Sequence, residues 1–128
     1  MEVDAAACRI VVCDDQPAFR ELLSMVLTLE SGLEVVGEAA DGLEAIEAVR
    51  QHLPDVLLLD VAMPKMDGLE ALPHIREASP STKIVMVTAF GSEGIRQRAL
   101  TEGAVGFLEK GMDVTELVGE IAQICAAR

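Results

Sequence analysis

Five polar residues in this chain, Asp14, Asp15, Asp60, Thr88 and Lys110, each stand at the end of a short apolar run. Asp60 closes Val56-Leu57-Leu58-Leu59, and a carboxylate at the end of such a buried strand lies where open α/β sheets place their ligands. If the strands run parallel, their C-terminal ends share one edge and all five residues become neighbours. Three carboxylates brought that close cannot all stay ionised uncompensated, because like charges raise one another's pKa. Lys110 would offset one charge and a divalent cation the remainder. An all-oxygen donor set, with no His or Cys at metal spacing, favours Mg2+ or Mn2+ over zinc. Taken alone, Asp14-Asp15 would serve equally well as a helix cap.

The elements that must position these residues follow from periodicity. Arg9 to Cys13 predicts a first strand, and Pro17 suits the first position of a helix whose apolar face is Phe19, Leu22, Leu23, Val26 and Leu29, stopped at Ser31-Gly32. Glu34 to Ala40 predicts a weaker strand near an edge, and Leu43 to His52 a helix with Ile46, Val49 and Leu53 inward. Pro54 and Pro64 bound the third strand, since proline cannot supply a ladder N–H. Asp67-Gly68-Leu69-Glu70 predicts a capped helix to about Ala78, with Pro73 kinking it or delaying its start. Lys83 to Val87 reads as the fourth strand, and Phe90 to Gly94 as a mobile loop before a short helix closed by Gly103. Val105 to Glu109 is the fifth strand. A capping box, Asp113-Val114-Thr115-Glu116, opens the last helix, which turns Leu117, Val118, Ile121 and Ile124 inward. Five strand–helix units in strict alternation predict a doubly wound five-stranded parallel sheet with five helices, an α/β fold.

Composition agrees. One domain of 128 residues buries enough surface for an ordinary core, and with 51% hydrophobic but only 2% aromatic residues that core must be aliphatic. The formal net charge of −12 argues against direct nucleic-acid or anionic-membrane binding. No apolar run approaches membrane-spanning length, and Ala5-Ala6-Ala7-Cys8, preceded by Glu2 and Asp4, lacks the apolar segment of a signal peptide. Cys8, Cys13 and Cys125 read as reduced, buried thiols of a cytoplasmic protein.

The series Asp14-Asp15, Asp60-Val61-Ala62-Met63-Pro64-x-Met66-Asp67-Gly68, Thr88-Ala89 and Gly103-Ala104-x-Gly106-Phe107-Leu108-x-Lys110 resembles the receiver domain of two-component response regulators. The likeness covers residues 9 to about 125, so residues 1–128 are expected to form a single receiver domain with no output domain. The flavodoxin-like strand order 2-1-3-4-5 is what the resemblance implies. It makes Asp60 the phosphoacceptor, whose carboxylate takes the phosphoryl group of a phosphohistidine on a sensor histidine kinase or phosphotransfer protein. Asp14, Asp15, Asp60 and the backbone carbonyl of Ala62 become the Mg2+ ligands. Lys110 and Thr88 become donors to the phosphoryl oxygens. Thr88 and Phe107 become a switch pair that reshapes the face of helix four, strand five and helix five.

Glu34 to Gly42 and Gly103 to Leu108 are most similar to the NarL/FixJ-type subset, whose receivers usually precede a helix-turn-helix domain. The expected output is therefore transcription, through a domain outside these residues, with a homodimer on phosphorylation if the last two helices expose an apolar patch. Three departures from the receiver pattern stand out. Gly111 replaces the frequent proline after Lys110, Ala62 offers no side chain beside the phosphoacceptor, and Phe90 is bulky two residues after Thr88. Two rivals remain. One is a stand-alone or phosphorylation-independent receiver acting by protein–protein binding. The other is a Mg2+-dependent phosphohydrolase of the haloacid dehalogenase type, which would need an acid where Ala62 stands.

Overall fold

The computed structural model describes residues 7–89 and 91–127. Ala5, Ala6 and Phe90, on which two of the sequence readings fell, lie outside them. Strands and helices alternate as β1 (Cys8–Cys13), α1 (Pro17–Leu29), β2 (Leu33–Ala39), α2 (Gly42–His52), β3 (Val56–Leu59), α3 (Gly68–Ala78), β4 (Lys83–Thr88), α4 (Glu93–Thr101), β5 (Gly106–Glu109) and α5 (Val114–Ala126). All pairings are parallel and the sheet order is β2-β1-β3-β4-β5. The central strand β3 carries no polar residue because both of its faces are covered. Val11, Cys13, Leu57, Leu59, Ile84 and Met86 point toward α2, α3 and α4. Ile10, Val12, Val56, Leu58, Val85 and Val87 meet Leu23 and Leu27 of α1 and Leu117, Val118 and Ile121 of α5. Each fully buried leucine of β3 contributes about 2 kcal/mol relative to exposure.

Side chains fix the starts of α2, α3, α4 and α5, whereas α1 begins at Pro17 with no side-chain cap, so Asp14 and Asp15 do not cap it. Asp41 accepts from the Glu44 N–H at 2.8 Å. Asp67 and Glu70 form a reciprocal capping box at 2.8 and 3.0 Å. That box sets the start of α3 at Gly68, and the helix runs through Pro73 to Ala78, so the expected late start does not occur. At α5 the cap differs from the expected box, because Asp113 accepts from Thr115 N–H, two residues on, at 3.0 Å.

The apolar faces of two helices are narrower than expected. In α1 Leu23 and Leu27 are fully buried and Phe19 and Val26 pack partly buried beside them, while Leu22 and Leu29 are exposed. Leu53 is exposed because it ends α2 in a left-handed turn, at φ 45°, before Pro54.

The cysteines require a correction. Cys8 opens β1 and Cys125 sits in the last turn of α5, which packs across that strand, and the two are joined in a disulfide with Cα atoms 5.9 Å apart. The separation suits such a bond. Only the crossing of α5 over β1 brings positions 117 residues apart together, so spacing along the chain gave no sign of it. Cys13 is the free, buried thiol among the described residues.

Two predictions test this packing. Thiol titration of the unfolded chain without reductant should find one reactive thiol. Reduction should then lower stability by up to roughly 5 kcal/mol, the scale for closing a loop of this length. Three thiols at the outset would refute the bond. Gly68→Ala would place a Cβ 2.1 Å from the Asp60 carbonyl oxygen. It should cost about 2 kcal/mol in urea unfolding followed by circular dichroism, since a backbone oxygen has no room to yield.

Candidate phosphoacceptor site

The C-terminal ends of β1, β3, β4 and β5 converge on one edge, and backbone hydrogen bonds set the height of each site residue. Asp60 N–H donates to the Cys13 carbonyl at 3.1 Å, and Lys110 N–H to the Thr88 carbonyl at 3.0 Å. These bonds hold Asp60 beside Asp14 and Lys110 beside Thr88. Oxygens of Asp14, Asp15 and Asp60 lie within 4.8 Å of one another, and this is the metal-capable cluster found among the described residues. Asp14 and Asp60 are buried, and Asp15 is the least covered of the three.

Lys110 bridges the cluster. Its Nζ lies 2.7 Å from Asp14 Oδ2 and 3.1 Å from Asp60 Oδ2. Burial works to lower the Lys110 pKa, but hydrogen bonds and charges from Asp14 and Asp60 outweigh it and raise the group above its ordinary value. Burial pushes the Asp60 carboxyl up and Asp14 pushes it further, against the opposing pull of Lys110 and a hydrogen bond from Thr88. Three acids against one base leave two negative charges, which matches a divalent cation. The donor set is hard oxygen, and the neighbouring Cys13 thiol is held protonated, first by burial and then by the surrounding carboxylates. The arrangement is consistent with a Mg2+ site.

Asp14, Asp15, Asp60, Ala62, Thr88 and Lys110 lie at this edge, whereas Phe107 sits within β5. Ala62 and Ala89 line the same hollow as Asp15, Gln16, Asp60 and Lys110. Thr88 is fully buried. Phe107 is half-buried against the α2–α4 side of the core, opposite Met86 in the β4–β5 register, and a Cβ on Gly91 would meet its ring at 2.8 Å. No peptide among the described residues is cis, the Lys110–Gly111 bond included.

Two participants were not singled out from the sequence. Gln16 accepts from Lys110 Nζ at 3.3 Å, and its own N–H donates to Asp14 Oδ1 at 2.9 Å. Phe19, read as a core residue of the first helix, lies under the Lys110 ammonium at 4.7 Å from the ring centroid, a cation–π distance. Its place one turn into the helix after Asp15 was the available signal. Replacing Lys110 by Met leaves Asp14 and Asp60 buried without their cation. The expected loss is roughly 2–3 kcal/mol at pH 7, shrinking as acid protonates the carboxylates, measured by urea unfolding across pH.

Comparison with known proteins agrees with this geometry. The family model for the response regulator receiver domain matches residues 10–122. Over 120 residues the chain is 41% identical to the "Probable transcriptional regulatory protein NarL" of Mycobacterium tuberculosis, covering 94% of this chain and 56% of that protein. It is 38% identical to the oxygen regulatory protein NreC of Staphylococcus carnosus over 117 residues, 91% of this chain and 54% of that one. The chain therefore spans about half the length of these curated relatives.

Among solved structures, the signal receiver domain of NarL from Mycobacterium tuberculosis superposes with a TM-score of 0.89 at 40% identity, covering 97% of this chain and 100% of that one. The CheX-CheY-BeF3-Mg+2 complex from Borrelia burgdorferi gives a TM-score of 0.86 at 29% identity, covering 93% of this chain and 90% of the matched one. The acidic edge, the strand order and these matches together make the chain a member of the response regulator receiver domain family, with relatives among the NarL and LuxR-family regulators.

Proposed function

We propose that this chain is a phosphorylation-driven switch in a two-component system, with Asp60 as the phosphoacceptor. The observation that carries the reading is the Asp14, Asp15 and Asp60 cluster bridged by Lys110. An Asp60 oxygen attacks the phosphorus of a phosphohistidine on a sensor kinase or phosphotransfer protein. The P–N bond breaks, an acyl phosphate forms, and the departing imidazole takes up a proton. Asp14, Asp15, Asp60 and the Ala62 carbonyl would hold Mg2+ or Mn2+. When bound, the ion supplies charge neutralisation and in-line orientation of the transferring group. Lys110 exchanges part of its contact with Asp60 for a phosphoryl oxygen, and Thr88 donates to another.

The switch follows from these donors. Thr88 turns its hydroxyl to the phosphoryl group, and Phe107, which has no hydroxyl, responds sterically. The exposed face formed by α4, β5 and α5 then changes. Only contacts that differ between the two states shift the balance, here one charge pair and one or two hydrogen bonds, so the bias is a few kcal/mol. The relatives named as transcriptional regulators are about twice as long as this chain, which supports an output through a further segment, read here as a helix-turn-helix domain. The condition set for dimerisation through the last two helices is not met, because the large apolar side chains exposed among the described residues, Leu22, Met25, Leu29, Leu43, Leu53 and Val105, lie outside α4 and α5. The Borrelia complex supports partner binding by a receiver.

The chain acts as a signalling domain and not as a turnover enzyme. Ala62 provides no second acid for a hydrolase mechanism. No described helix is long and apolar enough to cross a membrane. We place the protein in the cytoplasm, where a disulfide such as Cys8–Cys125 is uncommon.

Incubation with phosphoramidate and Mg2+ should add a single phosphoryl group, about 80 Da by intact mass, and Asp60→Asn should abolish it. No adduct on the wild-type chain, from this donor or from a kinase, would instead indicate a phosphorylation-independent receiver. The same substitution tests the electrostatics. A carboxyl whose folded pKa is raised costs stability once pH rises above its unfolded value near 3.8. Asp60→Asn should therefore be more stable than wild type at pH 7, and the difference should close as pH falls toward 4 in thermal unfolding without metal. Saturating Mg2+ at a hundred times its Kd should stabilise the wild type by about 2.7 kcal/mol, and Asp60→Asn by much less.

A further inference from the structure

The β3–α3 loop, residues 61–67, carries the Ala62 carbonyl and must keep its shape for the site to work. Its near end is fixed by Gly68, whose N–H donates to the Val61 carbonyl at 2.8 Å. Its far side is fixed by an element outside the site, the turn between β2 and α2. Gly42 N–H donates to the Met66 carbonyl at 2.9 Å. A Cβ at Gly42 would stand 2.6 Å from that oxygen and 2.8 Å from Met66 Cγ. The preceding residue, Asp41, is buried, caps α2 through one carboxylate oxygen and faces Lys65 Nζ with the other at 3.7 Å. Lys65 has φ 68°, an uncommon conformation for a lysine, within a tight turn in which Met66 N–H meets the Pro64 carbonyl at 2.7 Å. Cys13, next to Asp14, completes the junction, with its Sγ 3.4 Å from the Asp41 carbonyl and 3.5 Å from Met63 Sδ.

Nothing in the conformation of α2 requires glycine at its first position. Gly42 is not among the glycines with positive φ, and alanine normally favours a helix. The demand comes from the loop. We propose that the Asp41-Gly42 turn is a positioning element for the phosphoacceptor loop, with Gly42 as the residue that lets the loop approach and Asp41 as the clamp on Lys65. The inference rests on Asp60 being a Mg2+-assisted phosphoacceptor. Gly42→Ala forces the Met66 carbonyl away, since a backbone oxygen cannot rotate aside as a side chain does. The displacement passes along the loop to Ala62.

Three measurements on the intact chain test this. In Gly42→Ala, calorimetric Mg2+ affinity and the rate of phosphoryl uptake from phosphoramidate should each fall at least tenfold, while the variant stays folded in EDTA by circular dichroism. Gly119→Ala, at an α5 position where a Cβ meets nothing within 4 Å, should leave both site readouts at wild-type values. By linkage, Mg2+ should slow hydrogen exchange of the Gly42 amide in the wild-type chain at least fivefold, a readout that stands even if Gly42→Ala does not fold. A folded Gly42→Ala within twofold of wild type in both site readouts, or a Gly42 amide indifferent to Mg2+, overturns the inference and leaves the phosphoacceptor reading standing. A wild-type chain that neither binds Mg2+ nor takes up phosphoryl overturns both.

Discussion

Unbalanced negative charge at the C-terminal edge of the sheet is the constraint on which the rest of the structure depends. Asp14 and Asp60 are buried beside one another, with Lys110 as the single ammonium between them. Burial of a carboxylate is costly, and one cation cannot compensate three acids. The fold tolerates this because the strands beneath are held by apolar packing on both faces, which does not depend on the charge at the edge. A site that destabilises its own metal-free form has corresponding capacity to be stabilised by a cation.

The packing explains how that charge is held in register. Strand ends are levelled by backbone bonds from Asp60 to Cys13 and from Lys110 to Thr88, so each polar side chain emerges at the same height. The loop after Asp60 is then pinned from two sides, by Gly68 against the Asp60 carbonyl and by Gly42 against the Met66 carbonyl. Two positions without side chains therefore govern a site built from charged ones. On the other side of Lys110, Phe19 and Gln16 from the start of α1 orient the ammonium, which ties the first helix to the reactive edge.

Much of this was legible in the chain itself. The apolar run Val56 to Leu59 between two prolines permits little besides a buried strand, and the five strand–helix alternations permit little besides a parallel sheet. The start of α3 was readable from Asp67 and Glu70. Other features were not. Leu22 and Leu29 fit the helical period as well as Leu23 and Leu27 do, and only the seating of α1 on the sheet chooses between them. The Asp113-Val114-Thr115-Glu116 pattern suits a capping box, but the Asp113 carboxylate accepts from the Thr115 N–H instead.

What the sequence determined by itself was the kind of site: which residues end the strands, that they are acids, a hydroxyl and a lysine, and that parallel topology must gather them. Residue type and period decide those matters, and both are local properties of the chain. What only the tertiary structure decided were the relations between distant segments. These are Cys8 bonded to Cys125, Phe19 under Lys110, and Gly42 against Met66. Each depends on how one element crosses another. Crossing positions are set by the fit of two packed surfaces together, which neither segment carries alone.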